Sequence, residues 1–135
     1  MDNSWVMVLD STFYTILDTK LDKKFKSTYP DLYITKALGN LPESKFPTVY
    51  IHALPFSEAM SDLDGTSVNA VNVSYQIDVY SNKSQNDANK IMTEVINIVK
   101  SMRFSVNAFP EFSLSGGVYR AVMRCTRLIG SGDTL

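Results

Sequence analysis

Several classes of protein depend on residues that this sequence has in very small number. One cysteine and one histidine among 135 residues exclude a disulfide framework within the chain, a thiolate-rich zinc site and most zinc enzymes. Neither sign of charge is in excess, since thirteen basic and fourteen acidic side chains leave a net charge of −1. A dedicated nucleic-acid-binding protein normally carries a basic excess, so we expect no specific binding of DNA.

Long apolar runs are also missing. No stretch approaches the roughly 20 apolar residues that a membrane span needs. Residues 1–25 mix apolar and charged side chains at helical spacing, without the unbroken apolar run of a signal peptide. We therefore expect a protein that is made in a reducing cytoplasm and has no membrane partner.

The remaining composition is typical of one globular domain. Hydrophobic residues make up 44% of the chain and charged residues 20%, as in packed domains rather than disordered segments. Domains most often have about 100–150 residues. We predict a single α+β domain over residues 1–130 and a flexible C-terminal tail over residues 131–135.

Two segments have the apolar spacing of amphipathic helices. In the first, large apolar residues recur every four positions from Trp5 to Phe25, and the helix must end before Pro30. The second begins with Ser84 and Asp87, a variant of the capping box. Its predicted buried stripe consists of Ala88, Ile91, Met92, Val95, Val99 and Met102.

Alternating apolar and polar residues predict strands over residues 48–54, 68–81, 104–109 and 118–129, with a shorter one at 32–34. The first two long strands should pair antiparallel. The element order predicts a mostly antiparallel sheet with two helices packed on one face. The other face mixes polar, charged and apolar side chains, which suits contact with another subunit. Its predicted members are Tyr50, His52, Asn72, Gln76, Asp78, Tyr80, Arg120, Val122 and Arg124.

Two connections stand out by length and composition. Residues 55–67 are too long for a tight turn and contain acidic but no basic side chains, so we predict an extended acidic loop, mobile in the free monomer. Residues 110–117 contain Pro110 and a glycine pair, which predicts a turn before the last strand. Asp78 lies on the same face as Arg120 and Arg124, so cross-strand ion pairs are expected there.

No group of residues forms a catalytic motif. Cys125 and His52 are the only pairing of a thiol with a base, and the strand patterns place them on opposite faces of the sheet. The sequence at 62–65 resembles the start of a calcium loop but has no distal glutamate at the required spacing. We expect neither enzyme activity nor a metal or cofactor.

Charge separation suggests where copies of the chain could meet. The four arginines are at positions 103, 120, 124 and 127, whereas three acids lie within residues 55–67. A solvated surface is the ordinary explanation. A head-to-tail contact between acidic loop and basic strand is the alternative. The candidate contact residues are Phe56, Glu58, Met60, Asp62, Asp64, Arg120, Arg124 and Arg127.

The chain also resembles a known group of viral proteins. The resemblance rests on the early helix, on the final arginine-bearing strand, and on the phrases FPTVYI at 46–51, NVSYQIDVYS at 72–81 and NKS at 82–84. Over about residues 1–130 the chain is similar to the tail terminators of long-tailed bacteriophages, also called tail completion or tail-to-head joining proteins.

That resemblance implies a structural role in the virion. It implies a homo-oligomeric ring, a hexamer in the family, that caps the finished tail tube, docks on the head connector and leaves a channel for DNA. In such a ring, the acids of residues 55–67 have a third possible place, on an inner wall whose negative charge repels passing DNA. Its partners would be itself, the tail-tube protein and the head-connector protein, at the tail–head junction of the virion after assembly in the host cytoplasm. A head-completion or connector protein, a tail-tube subunit and a small cytoplasmic ligand-binding domain are the alternatives.

Overall fold

The structure, a computed structural model, describes residues 3–36, 46–61, 63, 65–115 and 117–135. Within these residues two helices and six strands follow one another. In chain order they are α1 (Trp5–Phe25), β1 (Tyr33–Thr35), β2 (Thr48–Ala53), β3 (Ser57–Ser61), β4 (Val68–Ser81), α2 (Gln85–Ser101), β5 (Ser105–Ser115) and β6 (Val118–Gly130).

The strands form one mostly antiparallel sheet. Its order is β1-β2-β4-β6-β5, and β3 pairs with β4 beyond the end of β2. Only the three-residue pairing of β1 with β2 is parallel among the described strands. The predicted α+β class and the predicted antiparallel pairing of β2 with β4 are confirmed.

Both helices pack on the same face of this sheet. From α1, the Phe13 ring stacks on Tyr75 of β4 with centroids 3.7 Å apart and planes 4° from parallel. The predicted four-residue stripe is buried from Leu9 to Phe25, whereas Trp5 at its start is half-buried. Burial of this stripe against the sheet accounts for the helix, because helices gain most of their stability from packing an apolar face. The second stripe is buried as predicted, with Ile98 in addition.

Polar bonds connect α1 to the sheet. The Tyr75 hydroxyl donates to Asp10 Oδ1 over 2.9 Å, and Asp10 Oδ2 accepts from Lys36 Nζ over 3.0 Å. Tyr14 donates to the carbonyl of Ile34 in β1 over 2.9 Å. Burial, together with the nearby Asp10 carboxylate, raises the pKa of Tyr75. The deepest aromatic ring of the core therefore has its hydroxyl satisfied rather than stranded.

Each end of α2 has a recognisable cap. The Ser84 hydroxyl accepts from the backbone N–H of Asp87, as the sequence predicts. At the other end, Arg103 adopts a φ of 67° and donates its N–H to the Lys100 carbonyl, while the Phe104 N–H donates to the Val99 carbonyl. These two bonds define a Schellman motif. Its left-handed position is usually glycine, so an arginine there holds an unfavourable backbone conformation.

The prediction of a loop over residues 55–67 is wrong for residues 57–61. Those residues form β3, which pairs with β4 from Ser57 opposite Asn72 to Ser61 opposite Val68. Since β2 pairs with the later part of β4, β2 and β3 lie along the same side of one long strand. The pairing of β3 is irregular near Met60, so the segment lacks the strict alternation of apolar and polar residues from which strands are predicted.

The prediction of a turn over residues 110–117 is also wrong for most of that range. β5 continues through Pro110 to Ser115, and Gly117, with a φ of 78°, lies in the turn that follows. Pro110 falls within a register shift between Ala108 and Glu111. A proline is tolerated there, because β5 is an edge strand and a bulge needs no donor from that residue.

Residues 131–135 make specific contacts. The Ser131 N–H donates to the Asn69 carbonyl over 3.0 Å, and Asp133 Oδ2 accepts from the Gly130 N–H over 2.8 Å. Leu135 packs against the core. The flexibility predicted for residues 131–135 stays a prediction.

Candidate functional site

The sheet face turned away from the helices is the candidate site, and we call it the open face. It is built by alternate residues of β2, β4 and β6. Across the strands, Tyr80 lies opposite Arg120, Asp78 opposite Val122, and Gln76 opposite Arg124. These are the residues that the sequence placed on a mixed polar face, and the register brings them together in consecutive rows.

The centre of the open face is a buried carboxylate. The Asp78 side chain is 3% exposed, and its Oδ2 accepts from Arg120 Nη2 over 2.8 Å. The Tyr80 hydroxyl donates to the same oxygen over 3.1 Å, and Gln76 Nε2 donates to Oδ1 over 3.3 Å. The bond to Asp78 raises the pKa of Arg120, while burial raises the pKa of Tyr80. The expected ion pair of Asp78 with Arg120 is present.

Arg124 is connected to that carboxylate indirectly. Its Nε donates to Gln76 Oε1 over 3.0 Å, and Gln76 in turn donates to Asp78. The direct pair of Asp78 with Arg124 that the sequence suggested is replaced by this relay. Arg124 itself is exposed. The network therefore holds one arginine close to the buried acid and a second at the surface.

Arg127 belongs to the opposite side of the molecule. Its Nη1 donates to the carbonyl of Met102, at the end of α2, and to the carbonyl of Thr134, both over 3.0 Å. Cations are favourable at helix C-termini, where carbonyl groups lack intrahelical partners. In this chain Arg127 thus ties the end of α2 to the C-terminal segment, apart from the two arginines of the open face.

The candidate residues of the 55–67 segment have different surroundings. Phe56 is half-buried, with its ring centroid 5.8 Å from that of Tyr75, so it anchors the segment to the core. Glu58 and Met60 are exposed on β3. Asp62 and Asp64 lie outside the described residues. The acidic cluster predicted from sequence is therefore described only at Glu58.

Exposed apolar side chains collect at one end of the molecule, which we call the apolar end. The Asn3 side chain bonds to the backbone of Thr66 and Val68 over 3.1 Å each, so the start of α1 lies beside the connection from β3 to β4. Leu128 and Ser57 flank Asn72 on β4. The large exposed apolar residues among those described are Met7, Val8, Met60, Leu63 and Leu128. All five belong to this end.

Two shallow grooves run along the start of α1 at the apolar end. One of about 450 Å³ lies between Trp5, Leu9 and the C-terminal Leu135, and another of about 430 Å³ lies between Val6 and Phe56. A small-molecule site needs several polar groups that converge on the ligand. The second groove has one polar residue in its lining, Asp10, and the first combines its apolar residues with Thr12 and the polar residues of the C-terminal segment.

The structure places Cys125 and His52 on opposite faces of the sheet. Cys125 lies opposite Tyr75 on the helix side, and burial raises the pKa of its thiol to about 12. His52 is exposed and pairs with Gln76 of the open face. The predicted separation of this pair is confirmed, and the thiol is protonated at neutral pH.

The described ranges also contain no cluster of three or more histidine, cysteine or carboxylate side chains that could hold a metal ion. Neither helix in the described part of the chain is long and apolar enough to cross a membrane. No protein-family model matches the chain, and the comparison with curated proteins found no relative.

The buried state of Asp78 is the feature of the site that sequence reasoning missed. A charged residue at an exposed-face position normally stays solvated. The available signal was its surroundings, because Gln76, Tyr80 and Arg120 all lie on neighbouring positions of the same face and all carry hydrogen-bond donors.

Proposed function

We propose that this protein is a structural subunit of a long-tailed bacteriophage, a tail terminator that assembles into a ring, caps the tail tube and joins it to the head connector. The observation that carries the proposal is the presence of two unlike surfaces on one small domain. The open face presents ordered arginines, and the apolar end presents exposed apolar residues beside Glu58. The sequence resemblance supports the same role.

Two unlike surfaces suit head-to-tail association. When a contact joins different patches of identical subunits, it closes into a ring if the rotation allows and otherwise continues as a filament. A terminator needs the closed form. Tube growth would then stop because the far side of the ring does not accept another tube subunit.

Negative-stain microscopy of the purified full chain tests this proposal. Rings or monomers are expected from a terminator, whereas long cylinders would identify a tail-tube subunit and overturn the terminator role. Position in the genome gives an independent check. A gene between those for the head connector and the tail tube is expected, and a gene within a metabolic operon would favour a cytoplasmic ligand-binding domain instead.

The nearest alternative within the virion needs a test of its own. A head-completion or connector protein would form rings as well, so microscopy alone does not separate it from a terminator. Mixing the rings with purified tail tubes does: a terminator is expected to cap tube ends. Rings that bind emptied heads and leave tubes uncapped would contradict the terminator role.

A further inference from the structure

The three candidate arginines differ in the bonds that their guanidinium groups already make. Arg127 is engaged with two backbone carbonyls, and Arg120 donates to the buried Asp78. Arg124 uses Nε for Gln76, and none of the side chains that the structure describes accepts from its two Nη nitrogens. Of the three, Arg124 is the exposed arginine with donors available to a partner.

Arg124 is also held in place before any partner arrives. Gln76 is fixed from its other end, because its Nε2 donates to Asp78, which Arg120 and Tyr80 hold as well. An arginine restrained at Nε loses less side-chain freedom when its Nη nitrogens bind a carboxylate. The relay therefore prepares Arg124 for a two-bonded contact with an acid.

Glu58 has the complementary chemistry. It is exposed on β3 and forms no ion pair with the residues that the structure describes. Beside it, Met60 is 59% exposed and Leu63 is fully exposed. An acid at the margin of exposed apolar residues has the composition of an interface edge, with a polar rim around an apolar centre.

These two groups cannot meet within one chain. Glu58 lies opposite Val71, and Arg124 opposite Gln76, five residues along β4 or about 17 Å. Val71 also faces the helices, whereas Gln76 belongs to the open face. A bond between Glu58 and Arg124 therefore requires two copies of the chain, in a head-to-tail arrangement.

We propose that Glu58 of one copy forms an ion pair with Arg124 of the next, with Met60 and Leu63 packing against the open face near Val122. This inference rests on the proposed self-assembly and names the contact that produces it. Val122 is half-buried and lies between the two open-face arginines, so it gives the incoming apolar residues a surface to cover.

Charge reversal and its rescue test this contact in the full-length protein. Glu58→Arg and Arg124→Glu should each raise the concentration at which the protein associates by about tenfold or more, since like charges then face each other. The double variant restores the opposite-charge pair in reverse and should recover to within about threefold of the parent. Light scattering coupled to size exclusion, over a concentration series, measures the effect.

Matched controls separate the contact from a general effect of charge. Asp31→Arg and Lys20→Glu change the net charge by the same amounts at exposed positions outside both surfaces, and association should be unchanged. Where a reversal unfolds the chain, Glu58→Gln and Arg124→Gln replace it, each with a weaker loss. Circular dichroism monitors folding in all variants.

The outcomes distinguish this contact from the terminator role. Rings that assemble equally well in both single variants overturn the Glu58–Arg124 pair and leave the terminator role standing. A parent protein that stays monomeric at every concentration overturns the pair as well. Filaments that respond to the reversal and its rescue support the pair but contradict the terminator role.

Discussion

Replacing Phe13 with alanine should remove a large part of the stability of the domain. The side chain is 1% exposed, stacks on Tyr75 with centroids 3.7 Å apart and touches Phe104 with centroids 5.1 Å apart. Removing a fully buried phenylalanine costs about 3–5 kcal/mol, because apolar contacts are lost and a cavity remains. Domains have only about 5–15 kcal/mol of stability in total.

Thermal and urea unfolding, followed by circular dichroism, measure this loss. For a domain of this size, each kcal/mol corresponds to a few degrees, so the melting temperature should fall by about 10–20 °C. Phe13→Leu keeps most of the apolar volume and loses the ring stack, and should cost about 1–2 kcal/mol. Thr15→Ala, at an exposed position of α1 two residues after Phe13, should stay within about 0.5 kcal/mol of the parent.

A Phe13→Ala protein that melts within a degree or two of the parent would refute this reasoning. It would mean that α1 is not held by the stack on Tyr75, and that its apolar stripe serves a partner instead. Trp5→Ala gives a graded comparison, because Trp5 is half-buried. It should lose less stability than Phe13→Ala, and an equal or larger loss would contradict the burial gradient along the helix.

Three further changes have defined expected outcomes. Because burial raises the Cys125 pKa from 9.0 to about 12, the unfolded chain loses a proton that the folded state keeps. The contribution of the protonated thiol to stability is therefore fully present below pH 9. Above that pH the free energy of unfolding falls by up to about 1.4 kcal/mol per pH unit. In urea unfolding above pH 9, Cys125→Ala should lose stability less steeply with pH than the parent, and an unchanged slope would refute the raised pKa of Cys125. Arg103→Gly should raise the free energy of unfolding by about 0.5–1 kcal/mol, since the left-handed conformation suits glycine, and a loss would show that the arginine side chain matters more than its backbone. Ser84→Ala should lower the free energy of unfolding by about 1 kcal/mol in the same assay, because the bond from the Asp87 N–H is lost. An unchanged value would contradict this and mean that water replaces the cap.

The parts of the fold that sequence predicts well are those with a strong local period. The stripe of α1, the cap at Ser84 and the alternation over residues 68–81 each follow from geometry within a single element, and the structure has β4 at the predicted bounds. The segments that sequence missed, β3 and the part of β5 beyond the predicted end at residue 109, lack such a period. β3 has irregular pairing near Met60, and β5 contains Pro110 in a bulge, so in both cases tertiary pairing overrides a local loop signal.

The sequence predicts which residues lie on the open face but not which of them bond to each other. Alternation places Asp78, Gln76, Arg120 and Arg124 on one face, and that placement is correct. Which arginine holds the carboxylate depends on side-chain reach across strands, and the answer, Arg120 directly and Arg124 through Gln76, needs the register. The bond of Arg127 to the Met102 carbonyl could not be predicted either, because it joins residues far apart in the sequence.

Both sides of the sheet have edges that are poorly suited to recruiting a further strand. On one side, β5 carries Pro110 at a register shift, where a regular row of donors is broken; on the other, β1 has three residues and β3 has five. Interrupted or very short edges resist the uncontrolled strand addition that leads to aggregates and amyloid. If copies of the chain associate as proposed, these edges favour contact through side chains over polymerisation through the backbone.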